Sequence, residues 1–217
     1  MKPQTDYLED IKEIRSIMER SSKFISLNTV SGVFVGIIAL IGAAAAYFYS
    51  HGYLEIDNLQ FNLSNTSIHS LPQLVAFYVV DAVCILTASI LVSMWLTIRK
   101  ARKNSLPIWD ITSKRLFINM MIPLSVGGIF CLILIYHELY VLLAPSTLLF
   151  YGLALFNSSK YTMKGIKYLG IAEILLGLTS AFFLGLGFFF WVLGFGIVHI
   201  VYGIINYFLY EQKSVLK

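Results

Sequence analysis

The sequence predicts an all-α protein, a polytopic membrane bundle of six transmembrane helices preceded by an amphipathic cytoplasmic helix. The 217 residues are 58% hydrophobic and 13% charged, whereas soluble domains are about 25% charged. The apolar segments reach or approach the roughly 20 residues that cross a bilayer as a helix. All 16 lysines and arginines fall in the two terminal segments and in alternate connections between the apolar segments. The chain is therefore expected to lie in a lipid bilayer with both termini on one side.

Residues 1–23 precede the first apolar segment and show the periodicity of an amphipathic helix. Apolar side chains recur there at a spacing of three or four residues, at Tyr7, Ile11, Ile14 and Met18. Such a helix can lie against the bilayer and the bundle's own loops, or it can present a docking surface for a cytoplasmic protein partner. The pattern leaves both interpretations open.

Six apolar segments follow and form a predicted transmembrane domain over residues 24–210. The predicted spans are Phe24–Ser50, Leu71–Ile98, Leu116–Tyr136, Leu139–Asn157, Tyr168–Gly185 and Phe188–Tyr210. The least marked boundary follows the third span, where His137 and Glu138 interrupt an apolar run of about 42 residues. That length requires two crossings, so a tight hairpin is expected there. Residues 211–217 form a short cytoplasmic tail.

Basic residues set the predicted orientation. Five Lys or Arg precede span one, six lie between spans two and three, three lie between spans four and five, and two follow span six. The other three connections have none. The positive-inside rule then places both termini in the cytoplasm. The net charge of +4 follows from this bias and suits contact with anionic lipid headgroups, so nucleic acid is not an expected partner.

Small residues predict where helices approach one another closely. Span one has Gly32 and Gly36 in G-x-x-x-G spacing, and the same face continues with Ala39, Ala43 and Ala46. In lipid, helices associate through close packing and polar contacts, because the hydrophobic effect does not act between them. This face is predicted to pack within the bundle or against a second copy in a homo-oligomer.

The last two spans share a related pattern. Each has a glycine, a residue that can hydrogen-bond, a second glycine and a second polar residue, at spacings of +3, +4 and +3. These residues are Gly170, Glu173, Gly177 and Ser180 in span five, and Gly196, His199, Gly203 and Asn206 in span six. The four glycines are candidate positions of helix packing.

Depth predicts that Glu173 and His199 meet. Each lies 13 residues from Leu186, the middle of a predicted outer turn at Gly185–Gly187, and thus roughly 20 Å below that turn. A charged group at the centre of a membrane helix costs about 2.5–3.5 kcal/mol on insertion scales. We therefore expect the two side chains to face each other across a glycine-lined surface. They would form a proton-accepting pair that lines a pathway, or a polar clamp between helices.

Three further intramembrane polar residues are candidates. Tyr202 and Asn206 follow His199 by one and two turns on roughly the same face. Asp81 lies ten residues past Leu71, near the middle of span two. An acid at that depth is a functional candidate by default. It can carry a proton or cation, it can pair with His199, or it can be a protonated acid bonded to a neighbouring hydroxyl.

The sequence predicts no metal site and no cofactor. Histidine and carboxylate suit zinc or another transition metal, and the weak candidates at the outer surface are His51, His69, His137 and Glu138. However, no paired spacing such as H-x-x-x-H occurs, and haem-attachment, phosphate-loop and dinucleotide motifs are absent. Cys84 and Cys131 lie at different depths, so a disulfide is not expected.

The opening EIRSIMERSSKFISL and the closing FWVLGFGIVHIVYGIINYF resemble the terminal segments of an uncharacterised group of bacterial six-span inner-membrane proteins. The resemblance covers the whole chain. It implies the bacterial cytoplasmic (inner) membrane as the location, and it implies no activity, because no function is attached to that group.

Two functional hypotheses follow. The first is a non-enzymatic accessory or regulatory membrane protein that engages a partner through its N-terminal helix and basic loop. The second is a small proton- or cation-coupled transporter or channel-like protein that uses Asp81, Glu173 and His199. It requires a water-accessible cavity at those residues, and a dry interface there counts against it. An intramembrane enzyme is the least supported class, because no catalytic motif is present.

Overall fold

The computed structural model describes residues 30–54, 71–103, 110–162 and 164–211. Every regular element in this part of the chain is a helix. Six helical segments are long and apolar enough to cross a membrane, namely Ser31–Ser50, Gln73–Lys103, Ile111–Tyr136, Tyr140–Tyr161, Gly165–Phe182 and Leu184–Leu209. The predicted all-α bundle with six candidate spans is therefore confirmed for the described residues.

Five α-helices form the first five spans. They are α1 (Ser31–Leu54), α2 (Leu71–Lys103), α3 (Ile111–Tyr136), α4 (Leu143–Ser158) and α5 (Lys164–Phe182). Short 3₁₀ turns lie at Tyr140–Leu142, Ser159–Tyr161 and Leu184–Leu186. The sixth span is composite and consists of α6 (Gly187–Trp191), a π-helical segment (Val192–Val198), α7 (His199–Asn206) and a second π-helical segment (Tyr207–Glu211).

Several predicted features lie outside the described residues. These are the amphipathic helix at residues 1–23, the start of span one before Val30, and most of the tail at 211–217. The connection at 55–70 also lies outside.

Four helices extend beyond the predicted spans by four or five residues. α1 continues past Ser50 to Leu54, and α5 begins at Lys164 rather than at Tyr168. α2 continues past Ile98 to Lys103, and α3 begins at Ile111 rather than at Leu116. Hydropathy marks where the hydrocarbon of a bilayer would end, whereas a helix continues as long as its backbone hydrogen bonds and caps allow. The last turn of α2 is basic, which interacts favourably with the helix dipole.

Asp110 sets the beginning of α3. Its backbone is extended, and its Oδ1 accepts hydrogen bonds of 2.6 Å from the backbone N–H and from the hydroxyl of Ser113. Burial alone would raise the pKa of Asp110, but these hydrogen bonds outweigh it and lower the pKa below its ordinary value of 3.8. The charged carboxylate is therefore the capping form.

The hairpin predicted at His137 and Glu138 is present. α3 ends at Tyr136, and Glu138 has a φ of 59°, in the left-handed region that residues other than glycine rarely adopt. The other predicted turn is shifted along the chain. The backbone leaves α5 at Phe183 and forms a 3₁₀ turn at Leu184–Leu186, so Gly187 already belongs to α6.

The neighbours in the bundle do not follow chain order. α1 lies between α2 and span six, and α4 lies between α3 and α5. Span six contacts α1, α4 and α5 and so joins the two groups. Within the described part of the chain, the main contact of α2 is with α1, which leaves α2 at an edge of the bundle.

Gly32 and Gly36 are buried where α1 meets span six. A Cβ built on Gly36 would lie 2.6 Å from the carbonyl oxygen of Gly196. From the other side, a Cβ on Gly203 would lie 2.6 Å from the backbone nitrogen of Val33. Of the two predicted uses of this face, the structure shows packing within the bundle. A homo-oligomer formed through Gly32 and Gly36 would have to displace span six.

The glycines of span five pack against a different helix. A Cβ on Gly170 would lie 2.7 Å from the backbone nitrogen of Phe156, and one on Gly177 would lie 2.9 Å from that of Leu149. Both contacts are with α4. The predicted glycine-lined surface between spans five and six is therefore wrong, because the glycines of span five face α4 and those of span six face α1. Sequence spacing shows which residues share a helix face, but it does not show which helix that face meets.

Replacing Gly36 by alanine should destabilise the bundle, because the added methyl would meet backbone atoms of Gly196 and Ile200 that cannot move aside. Overpacking of this kind costs about 1–3 kcal/mol. Gly128→Ala on α3 is the matched control, since a Cβ there has nothing within 4 Å. Thermal unfolding in detergent measures both variants. Equal melting temperatures would contradict the close approach of α1 and span six.

Asp110→Ala should loosen the first turn of α3, since a lost N-cap costs about 0.5–2 kcal/mol. Because the pKa of Asp110 is lowered in the folded protein, its stabilising contribution is present above pH 3.8 and is lost as the pH falls through the folded-state value. Hydrogen exchange of the α3 amides, compared between variants at each pH, measures this contribution. Asp110→Asn keeps the cap without the titration, so its protection should not fall in acid.

Candidate functional site in the bundle interior

Three helical segments bring Glu173, His199 and Tyr151 together. Glu173 lies on α5, His199 begins α7, and Tyr151 lies on α4. The side chain of Glu173 has no exposed surface, and His199 is 2% exposed. The contact between Glu173 and His199 agrees with the depth argument. Tyr151 is an addition that the sequence pattern of spans five and six did not include.

Hydrogen bonds fix the imidazole ring of His199 at both nitrogens. Its Nε2 lies 3.0 Å from the hydroxyl of Tyr151, and its Nδ1 lies 3.0 Å from the carbonyl oxygen of Gly194. A carbonyl can accept but cannot donate, so Nδ1 carries the proton that Gly194 accepts. In the neutral ring, Nε2 then accepts from the Tyr151 hydroxyl. The geometry thus assigns the tautomer of His199.

Glu173 is in contact with this ring but is not hydrogen-bonded to it. Its Oε1 lies 3.3 Å from His199 Nδ1, while the Nδ1–H is directed to Gly194. Among the described residues, neither Oε1 nor Oε2 has a hydrogen-bond partner. A buried polar group without a partner loses its hydration with no compensation. Glu173 is therefore the polar group of this cluster whose bonding is incomplete.

The backbone beside the cluster is irregular. Gly194 lies in the π-helical segment Val192–Val198, immediately before His199, and single π-helical turns are frequent at functional sites. A Cβ built on Gly194 would lie 2.6 Å from Oε2 of Glu173 and 2.6 Å from Leu148 Cδ2. Glycine is thus the residue that leaves space for the carboxyl group.

Aromatic rings surround the imidazole and keep the site apolar. The ring centroids of Tyr151 and Phe195 lie 5.5 Å and 6.0 Å from that of His199, and Trp191 packs on Phe195 at 5.0 Å. In such low-dielectric surroundings electrostatic interactions are stronger than in water, and an uncompensated charge is correspondingly costly.

Buried polar residues continue above and below the cluster. Ser180 lies seven residues from Glu173 on α5, and Asn206 lies seven residues from His199 in span six, which is roughly 10 Å in each direction. Both are at least 98% buried, and Ser180 Oγ and Asn206 Oδ1 have no hydrogen-bond partner in the described part of the chain. We call Ser180, Glu173, His199 and Asn206 the polar column.

Asn206 is the last residue of the polar column, and its side chain lies next to the beginning of α5. Its side-chain amide donates a 2.8 Å hydrogen bond to the backbone oxygen of Tyr202. A Cβ on Gly165, at the beginning of α5, would collide with this amide. The ring of Tyr202 itself lies against Gly32 of α1, so Tyr202 packs on α1.

Asp81 is not part of the cluster. It lies on α2, which packs on α1, and a Cβ on Gly42 of α1 would come within 3.4 Å of its Oδ1. Gly42 and Gly36 lie on different faces of α1, since six residues turn a helix by about 240° beyond one full turn. The three-residue set of Asp81, Glu173 and His199 is therefore not assembled; only Glu173 and His199 meet.

The weak metal candidates do not form a group within the described residues. His137 and Glu138 are exposed at the α3–α4 hairpin, while His69 and the side chain of His51 lie outside the described part. No group of three histidine, cysteine or carboxylate side chains converges in the described part of the chain. Cys84 and Cys131 are both free thiols.

Two members of the site were missed by the sequence argument. Tyr151 lies 13 residues past Glu138, the same interval that separates Glu173 and His199 from Leu186. The depth argument, applied to the other hairpin, would have placed Tyr151 at their level. Gly194 had no comparable signal, because its role depends on a π-helical turn that hydrophobic periodicity does not reveal.

The cluster can hold one proton in two neutral arrangements. In the first, Glu173 is a carboxylic acid beside neutral His199. In the second, a Glu173 carboxylate faces a His199 imidazolium whose Nε2–H donates to the oxygen of Tyr151. A carboxylate beside a neutral imidazole would leave an uncompensated charge in a buried site. In both neutral arrangements the proton resides on one of the two groups, on Glu173 or on His199.

Comparisons of the chain with protein-family models, curated proteins and solved structures find no match.

Tyr151→Phe should destabilise the protein, because it leaves the buried Nε2 of His199 without its donor. An unsatisfied buried group of this kind costs about 1–3 kcal/mol. Tyr136→Phe, at a tyrosine that is 83% exposed, is the matched control. Thermal unfolding in detergent compares the two variants. A Tyr151→Phe protein as stable as the Tyr136→Phe protein would show that the hydroxyl does not support the ring.

Proposed function

We propose that this chain is a small proton-coupled membrane protein whose proton-binding site is Glu173 with His199. The observation that carries the proposal is a carboxyl group with no exposed surface and no hydrogen-bond partner among the described residues, 3.3 Å from an imidazole nitrogen. Polar and ionisable residues inside a membrane are costly to keep, and they mark proton and ion pathways.

A purely structural polar clamp would have more of its buried polar atoms hydrogen-bonded than Glu173 and His199 have. A clamp stabilises a bundle when each buried polar atom is paired. Here the ring of His199 is bonded to Tyr151 and Gly194, and Glu173 receives no bond from it. A proton moving onto Glu173, or from His199 to Glu173, changes the state of the site with little motion of the ring.

The polar column supports a route for the proton across the bundle. Ser180 and Asn206 lie on either side of the cluster, each with an unpaired oxygen in the described part of the chain. Buried oxygens of this kind are commonly satisfied by ordered water. Water molecules at those two levels would connect the cluster toward both ends of the bundle.

The described conformation is a closed one. Glu173 has no exposed surface, so a proton from solvent reaches it after α5 and span six separate. Gly194 and the π-helical segment lie at that contact, and a glycine there permits the backbone to adjust. The proposal therefore includes alternation between this closed state and a state in which Glu173 meets water.

The proposed location is the bacterial cytoplasmic membrane, with both termini in the cytoplasm. The distribution of Lys and Arg among the connections supports the orientation. The resemblance of the two terminal segments to bacterial six-span proteins supports the location.

A second candidate is a non-enzymatic accessory or regulatory protein. It is favoured by the close packing around Glu173, which has no exposed surface, and by the position of Asp81 outside the cluster. In this case the cluster binds a proton as a sensor or clamp, and no proton crosses the bundle. Proton binding is thus common to both candidates, and transmembrane proton movement separates them.

Glu173→Gln should abolish the protonation of a buried carboxyl group, because glutamine has no titratable proton. Infrared difference spectroscopy of the protein in lipid, recorded across a pH titration, follows the carboxyl band. Glu138→Gln removes an exposed acid at the α3–α4 hairpin and is the matched control, which should keep the buried band. A wild-type spectrum indistinguishable from that of Glu173→Gln would overturn the proposed site.

Proton entry into proteoliposomes under a potassium-diffusion potential then tests transport. A wild-type rate at least tenfold above that of Glu173→Gln, with Glu138→Gln at the wild-type rate, supports proton coupling. Equal rates in wild type, Glu173→Gln and empty vesicles support the accessory or regulatory candidate instead.

A further inference from the structure

We propose that the outward face of α2 binds a transmembrane helix of another protein, one that carries a lysine or arginine in the middle of its span opposite Asp81. The proposed partner does not involve the proton site. α2 lies at an edge of the bundle, and its main contact within the described part is with α1.

The outward face of α2 has the spacing of a helix-pairing seam. Exposed apolar residues recur there at intervals of three or four, at Val80, Val83, Leu86, Ile90 and Met94, and exposed Leu91 lies next to them. Cys84 and Thr87 are exposed on the same face. Intervals of three and four place these side chains along one side of a helix, as in packed helix pairs.

Asp81 lies at the border of this face. It is half-buried beside Gly42 of α1 and therefore partly accessible from outside the bundle. No hydrogen bond or ion pair to its carboxyl group is formed within the described part of the chain. Ionisable side chains in membrane spans pair with one another or face a protein interior. A half-exposed acid in mid-span therefore points to a partner outside this chain.

The charges of this chain's own spans indicate the chemistry of the partner. No lysine or arginine occurs between residues 24 and 98, between 116 and 159, or between 168 and 212. His199, the histidine of span six, is buried beside Glu173. A second copy of this chain cannot present a basic side chain at the depth of Asp81, and two copies related by symmetry would place acid against acid. The complementary partner is thus a different protein with a basic residue in its span.

A disulfide experiment on the full chain tests the proposal. With Cys131→Ser, Cys84 is the remaining thiol, one turn from Asp81 on α2. The protein is reconstituted in phosphatidylcholine vesicles with a polyleucine transmembrane peptide that has one central lysine and a cysteine one turn to either side. A second peptide has leucine in place of the lysine. After mild oxidation, the yield of peptide joined to Cys84 is measured.

We expect the lysine peptide to crosslink at least fivefold more than the leucine peptide, and Asp81→Asn to remove this preference. Asp81→Asn should still crosslink the leucine peptide at the wild-type level, which shows that the variant is folded. A cysteine at Ile129 on the exposed face of α3, in a background with both Cys84→Ser and Cys131→Ser, should not distinguish the peptides.

Three results would overturn the proposal. The first is an equal yield with the two peptides. The second is a lysine preference that persists in Asp81→Asn. The third is disulfide formation between two copies at Cys84 that excludes the lysine peptide, which would identify a second copy of the chain as the occupant.

Discussion

Backbone-to-backbone approach at glycines is the interaction on which this bundle depends. In lipid, helices gain little from burying apolar side chains, so they associate where their surfaces fit closely. Gly36 against Gly196 holds α1 to span six, and Gly170 against Gly152 holds α5 to α4. Gly194 lies against Glu173 of α5 and Leu148 of α4, so span six also approaches these two helices. Spans four, five and six therefore surround one interior. Glu173, His199 and Tyr151 meet because the helices that carry them are held this close.

The same close packing explains why the cluster is buried and why its hydrogen bonding is uneven. His199 is held at both ring nitrogens, so its orientation is fixed by Tyr151 and by the backbone. Glu173 occupies the space that Gly194 leaves open and makes no hydrogen bond within the described residues. A rigid imidazole beside an incompletely bonded carboxyl group is an arrangement in which the position of a single proton changes the local charge distribution.

Features that depend on the length of a span or the depth of a residue were predicted correctly from the sequence. Features that depend on which helix a face meets were not. The count of spans, the hairpin at Glu138 and the meeting of Glu173 with His199 follow from residue counts and the fixed rise of a helix. The faces of Gly170 and Gly177 were assigned to the wrong helix, because periodicity does not identify the opposing surface. The extra length of α2 and α3 was missed because hydropathy does not mark helix caps.

The π-helical segment of span six has a further consequence for the whole bundle. Each π-helical turn holds more residues than an α-helical turn, so the helix after it is rotated relative to the helix before it. α6 packs on α4, whereas α7 packs on α1. Span six therefore changes neighbours partway along its length without containing a proline. Removing one residue from Val192–Val198 would rotate His199 about the helix axis by about 100°. Span six would then no longer join α1 and α2 to the group of α3, α4 and α5.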